Sequence, residues 1–358
     1  MDTQPARPEQ QPSRLALIFP GQGSQHAGMG RRVAEASPRA RAIFEQASDV
    51  LGIDVTKIVM DGSEKELAKT TTTQPAILAV SWAYLTYLRE RAEEFGRQLR
   101  PSHGSGHSFG QFSAAAAADS ISFPDALKLV RERGRIMTKW SKRRTGGMAS
   151  VIGPSDDDVR GVLQRISPDG DVGVAAVNAP GQTVISGTLA ALGRAIEAMK
   201  ERGRVVQLPI SVPGHFPKMA EAREELRKRI DAIDFRDPKF PLVSSLTGKA
   251  LTTADEVRQE LSDQMTGAIN WMRAFLEMRK AGASAFFEVG PGHVLSNLTK
   301  RLDRDARMID IFDDSQWVDL APLLPPLDVR TVKAPCDTAP AAGLPPGAAS
   351  DAAKVRRG

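Results

Sequence analysis

Short, unbroken apolar runs alternate along the chain with longer stretches in which apolar residues recur every three or four positions. Leu15–Phe19 is such a run, closed by Pro20-Gly21-Gln22-Gly23, the pattern of a buried strand entering a turn. Helical spacing follows over roughly Gly28–Leu51 and again over Gln74–Gly96. Pro124–Trp140 reads as a further helix, with Pro124 and Asp125 in the first turn, where a fixed φ and a negative charge are both favoured. Ala285–Val289 repeats the strand-then-turn pattern, ending at Gly290-Pro291-Gly292. Strand–helix alternation of this kind predicts an α/β fold with a parallel sheet covered by helices.

The middle of the chain has another rhythm. Met148–Ile152 reads as a strand, Ser155–Arg165 as a helix and Val172–Val177 as a strand. A turn at Asn178–Gly181 leads to the strand Thr183–Ser186, the helix Leu189–Arg202 and the strand Val205–Leu208. The order βαββαβ predicts a ferredoxin-like subdomain over 145–210, inserted into a larger α/β domain made of 14–144 and 211–312. Residues 1–13 and 313–358 lack periodicity, and the second segment is rich in Pro and Ala; both are expected to be disordered tails.

Composition narrows the classes. With 41% hydrophobic and 25% charged residues among 358, the chain can bury a substantial core. Its longest apolar runs fall far short of the ~18 residues of a membrane span. The polar N-terminus has no apolar core of a signal peptide, so a cytoplasmic protein is expected. A single cysteine, Cys336, excludes an intrachain disulfide and a cysteine-based zinc cluster, and no metal is expected. The net charge of +5 is mild and aromatics are only 5%, which argues against a base-stacking nucleic-acid binder while leaving room for an acidic partner.

Gly106-His107-Ser108-Phe109-Gly110 matches G-x-S-x-G, in which flanking glycines let a serine project from a sharp strand-to-helix turn. The alanine-rich segment Gln111–Ala118 suits the helix side of that turn, and its N-terminus would aim N–H groups at negative charge forming beside Ser108. Arg100–Ser105 is a poor strand by composition. A serine nucleophile needs a base, and five histidines are available: His26, His103, His107, His215 and His293. His107 adjoins the serine and should point away from it. Spacing alone leaves the choice open, with His215 preferred because Pro213 and Pro217 fix its loop.

Taken together, these residues resemble the malonyl-CoA:acyl carrier protein transacylase family, which includes the acyltransferase domains of polyketide synthases. Seven collinear blocks over 14–312 carry the resemblance: Phe19–Gln25, Gln74–Ala76, Gly106–Gly110, Arg133–Met137, Asn178–Gly181, Val212–His215 and Glu288–Gly292. The resemblance implies a hydrolase-like parallel-sheet domain with an inserted ferredoxin-like subdomain. It further implies that Ser108 attacks the malonyl thioester while His215 takes its proton, and that the backbone N–H groups of Gln22 and Phe109 hold the oxyanion. Arg133 would bind the malonyl carboxylate, and ping-pong transfer would deliver malonyl to the phosphopantetheine thiol of a carrier protein. Coenzyme A then enters as the thioester substrate; no cofactor is implied, and a monomer is expected.

Two positions depart from the family pattern. Asn270 stands before Trp271 where glutamine is usual, and is expected to support His215. The elbow reads Ser-Phe-Gly-Gln111 instead of Ser-Leu-Gly-Glu; a phenylalanine there could narrow the acyl site toward unsubstituted malonyl. A carrier protein is acidic, as the resemblance implies, so Lys139, Lys142, Arg143 and Arg144 form a candidate docking surface, with Lys200, Arg202 and Arg204 on an opposite bank. An acyl hydrolase acting on carrier proteins, a general esterase and a non-catalytic carrier-protein-binding module are the competing readings.

Overall fold

The computed structural model describes residues 15–143, 145–210 and 212–327. Among the described residues, eleven strands form two sheets. The larger sheet holds β1 (Leu15–Phe19), β2 (His103–Gly106), β7 (Leu242–Val243), β8 (Ala250–Leu251), β10 (Ala285–Glu288) and β11 (Arg307–Ile309), in the order β11-β10-β1-β2-β7-β8. All neighbours are parallel except β7 and β8. β1 sits centrally and is buried along its whole length. Its side chains alternate between faces: Leu15, Leu17 and Phe19 enter one core, Ala16 and Ile18 the other. A continuous apolar run is what a strand covered on both sides requires.

β2, with the sequence HGSG, becomes a central strand despite poor propensity. A Cβ at Gly104 would lie 2.8 Å from Phe240, and one at Gly106 would lie 2.0 Å from the Gly110 backbone. The neighbours β1 and β7 hold the strand, while Phe240 and the backbone of the following turn come so close that only glycine fits.

The smaller sheet contains β3 (Gly146–Ile152), β4 (Val172–Ala179), β5 (Gln182–Thr188), β6 (Arg204–Gln207) and β9 (Ile269–Asn270), in the order β6-β3-β5-β4-β9. The helices Asp156–Ile166 and Leu189–Met199 cover one face, meeting Ala149, Val151 and Ile185 in a separate small core. Residues one position along, Met148, Ser150 and Val184, turn to the other face and line a cavity against the larger unit. β9 comes from beyond residue 211 and pairs in parallel with β4, so the later half of the chain contributes an edge strand to this sheet.

Two expectations are corrected. The helix expected over Gly28–Leu51 is two helices, Arg31–Ala36 and Pro38–Leu51, because Pro38 holds Ser37 in an extended conformation. Ser37 instead caps the second helix by accepting from the Ala40 N–H. The segment expected to be a disordered tail from 313 is folded up to 327. Helix Asp314–Leu320 buries Trp317 and Leu320, and Leu324 follows them into the core. Trp317 donates to the Ile311 carbonyl and stacks on Phe95. The helical spacing of Trp317, Leu320 and Leu324 marks an apolar stripe that the downstream prolines obscure. The tail expected over 1–13 and the rest of the second tail, 328–358, lie outside the described residues. Among the described residues, no helix is long and apolar enough to cross a membrane.

Candidate active site

The turn between β2 and the helix Gly110–Ala117 carries Ser108 at φ +54°, a left-handed conformation costing a non-glycine residue about 1–3 kcal/mol. Close packing imposes it. A Cβ at Gly110 would meet the Phe19 carbonyl at 2.3 Å, and one at Gly21 the His107 carbonyl at 2.5 Å, so the elbow and the Pro20–Gly23 loop nest backbone against backbone. Gln111 clamps the turn from inside. Its Oε1 accepts from the Gly106 N–H at 2.6 Å, and its Nε2 donates to the Val243 carbonyl at 3.3 Å.

Ser108 Oγ lies 2.7 Å from His215 Nε2. His215 also adopts a positive φ, +54°, in the loop after residue 211. Burial, then the charge of Arg133 and the neighbouring His107, lowers its pKa to about 3. The imidazole is therefore neutral near pH 7. The Gln264 and Gly267 carbonyls face the ring and oppose this shift, although neither reaches full hydrogen-bond geometry at Nδ1. With the proton on Nδ1, Nε2 is free to accept from the serine.

His107 points away from the serine, donating from Nε2 to Asn178 Oδ1 at 2.9 Å and packing on Trp271. Its own pKa is lowered by burial.

Arg133, from helix Phe123–Ser141, is 2% exposed and reaches the same cavity. Nη1 donates to Gln74 Oε1 at 3.0 Å and touches Met137 Sδ at 3.2 Å. Nε and Nη2 are buried without a partner. Burial lowers the guanidinium pKa to about 10, which still leaves it charged near neutrality. One edge of the fork is anchored and the other is free, the geometry that accepts a carboxylate through two parallel hydrogen bonds. Neighbouring Arg131 bonds the Leu51 carbonyl and Arg135 pairs with Glu132.

A cavity of about 420 Å³ brings together Gln22, Ser108, Phe109, Arg133 and His215. Met137, Leu208 and Ile210 supply apolar wall. The N–H groups of Gln22 and Phe109 take no hydrogen bond among the described residues. Sequence reasoning missed Gln74, Asn178 and Gln111 as partners of Arg133, His107 and the elbow. Each left a signal without a role: Gln74 and Asn178 open two of the blocks that carry the resemblance, and Gln111 opens an alanine-rich helix.

Asn270 is a correction. It makes no hydrogen bond to His215; its Oδ1 caps helix Trp271–Lys280 by accepting from the Arg273 N–H at 3.0 Å. The β9–β4 pairing directs it there, and the chain nearer His215 is Gln264–Gly267. Of the expected docking residues, Lys139, Lys142, Arg143, Lys200, Arg202 and Arg204 lie outside the cavity walls. Lys139 pairs with Glu225, Arg143 lies over Trp140, and Lys200 pairs with Glu197. Arg144 is outside the described residues.

A neutral histidine on a strained serine, free backbone N–H groups and a half-occupied buried guanidinium suit acyl transfer from a substrate bearing its own carboxylate. Comparisons with known proteins point the same way. A family model described as acyl transferase domain matches residues 16–318. The malonyl CoA-acyl carrier protein transacylase of Bacillus subtilis is 34% identical over 312 residues, covering 86% of this chain and 96% of that protein. Its counterpart in Haemophilus influenzae is 36% identical over 302 residues, covering 84% and 96%. Among solved structures, the malonyl CoA-acyl carrier protein transacylase of Coxiella burnetii superposes with a TM-score of 0.81 at 30% identity, over 87% of this chain and 98% of that one. A malonyl-transacylase solved in complex with its type II polyketide synthase acyl-carrier protein gives 0.79 at 34% identity, over 86% and 99%.

Proposed function

The chain belongs to the acyl transferase domain family, and from that premise we propose that it moves a malonyl group from coenzyme A to the phosphopantetheine thiol of an acyl carrier protein. The observation that carries the malonyl assignment is Arg133, a buried cation with Nε and Nη2 unpartnered in the cavity of Ser108.

His215 Nε2 takes the proton of Ser108 as Oγ attacks the thioester carbonyl, and the oxyanion is held by the N–H groups of Gln22 and Phe109. The C–S bond then breaks, the proton passes from His215 to the departing coenzyme A sulfur, and malonyl remains as a serine ester. The carrier thiol enters, gives its proton to His215 and reverses the sequence. The malonyl carboxylate on Arg133 also offsets the charge that depresses His215, so a bound substrate makes the base stronger. Phe109, nearly fully buried in the cavity wall, limits room beside the acyl carbon and favours unsubstituted malonyl.

Carrier-protein docking on Lys142, Arg143 and Arg144 belongs to this proposal, supported by the acidic partner and by Lys142 and Arg143 having no ion pair among the described residues, whereas Lys139 pairs with Glu225. The test is to mix the protein with malonyl-CoA and a phosphopantetheinylated carrier protein and to measure malonyl-carrier against free malonate. Malonyl-carrier should dominate, and reversing Lys142 and Arg143 to Glu should raise KM for the carrier, most at low salt. Free malonate as the main product would contradict transfer in favour of hydrolysis.

A further inference from the structure

A second cavity, of about 700 Å³, opens at the opposite end of the central strands from Ser108, where Leu17 and the residues leading into β2 and β7 approach the far end of the elbow helix. It shares no wall residue with the first. Three cations, Arg89, Arg100 and Lys239, line it with a single acid, Asp119.

The charges are unevenly satisfied. Lys239 pairs with Asp119 at 2.5 Å, so these two largely cancel. Arg100 spends only Nε, on Gln98 Oε1 at 3.0 Å. Arg89 makes no hydrogen bond or ion pair among the described residues; its guanidinium lies 5.6 Å over the Trp82 ring. The carboxylates whose charge it feels are Asp119 and Glu93, and Glu93 is engaged by Arg39 at 3.6 Å. Arg89 is half-buried, and burial pushes its pKa down against the opposing pull of those two carboxylates. Two guanidinium groups with free donors thus border one cavity, whose remaining wall includes Leu85, Leu99 and Phe240.

We propose that this cavity is a second anion site, taking a small phosphate monoester with an apolar substituent. Two arginine forks match the oxygens of a phosphate dianion, and the apolar wall receives the organic part. The site is independent of the acyl-transfer reading. Asp119, which also has a positive φ, and Ala117 belong to the end of the helix that begins at the elbow, so the ligand would rest against the far end of that helix.

Isothermal titration of the full chain with phenyl phosphate tests this, with inorganic phosphate and phenol as the head-group and ring controls. Saturable one-site binding of phenyl phosphate, tighter than either control, is expected. Arg133→Ala should leave it unchanged, because Arg133 belongs to the other cavity. Arg89→Gln and Arg100→Gln should each weaken it by about tenfold or more. Thermal melting checks that each variant is folded, and either folded variant decides the matter. Absence of saturable binding, loss of binding in Arg133→Ala, or binding unmoved in a folded Arg89→Gln or Arg100→Gln protein would overturn the assignment.

Discussion

Arg133 is a buried cation awaiting a counter-charge, so its removal should separate two substrates. In Arg133→Ala, malonyl transfer should fall by roughly 2–5 kcal/mol of transition-state stabilisation, because the substrate carboxylate loses its partner. Acetyl transfer should fall little or rise; a parallel loss of both rates, measured with malonyl-CoA and acetyl-CoA, would make the residue structural. His215 gives a pH prediction. Its folded pKa is about 3 against an ordinary 6.5, so below pH 6.5 the unfolded chain takes up a proton that the folded site refuses. The stability it contributes is complete above pH 6.5 and is lost as pH falls toward 3, by up to about 1.4 kcal/mol per pH unit. Denaturant unfolding of the wild type and of His215→Gln between pH 7.5 and 5 should show the wild type losing ground to the variant; a constant difference would contradict the buried, neutral imidazole. Ser108 and Arg133 could be found from the chain because their motifs are local. The support of His215 could not be denied to Asn270 from sequence, because Asn270, the last residue of β9, caps the next helix instead, and only the strand pairing decides that.

The elbow depends on backbone approaching backbone, and this belongs to the scale of the element. Gly110→Ala places a Cβ 2.3 Å from the Phe19 carbonyl, a rigid atom in the central strand. It should lower the thermal midpoint and abolish activity together, with a cost of about 1–3 kcal/mol or more. Gly193, inside helix Leu189–Met199, meets nothing within 4 Å and has an ordinary φ, so Gly193→Ala should stabilise by roughly 0.5–1 kcal/mol. Melting curves of the two variants that moved in the same direction would refute this account of the glycines. The same packing explains why Arg100–Ser105 looks unlike a strand in sequence. Gly104 and Gly106 are selected by crowding from Phe240 and from the elbow, and crowding across a sheet leaves no periodicity along the chain. The strand β1, by contrast, announces itself as an apolar run because both of its faces meet apolar cores.

At the scale of the whole molecule, the two sheets meet across the cavity, and the chain closes its larger core with a segment that composition reads as tail. Trp317 packs between Phe95 and Phe287, so Trp317→Ala should cost about 3–5 kcal/mol, and ending the chain at Phe312 should destabilise it further. Unchanged unfolding midpoints would show that helix Asp314–Leu320 contributes nothing to the core. The central claim is that malonyl rides on Ser108 between its two thiols. Intact-protein mass spectrometry after brief exposure to malonyl-CoA tests it most directly. The wild type should carry one malonyl group that disappears when a phosphopantetheinylated carrier protein is added, and folded Ser108→Ala should carry none. A covalent malonyl adduct persisting on Ser108→Ala, or a wild-type adduct that the carrier thiol cannot discharge, would contradict the account.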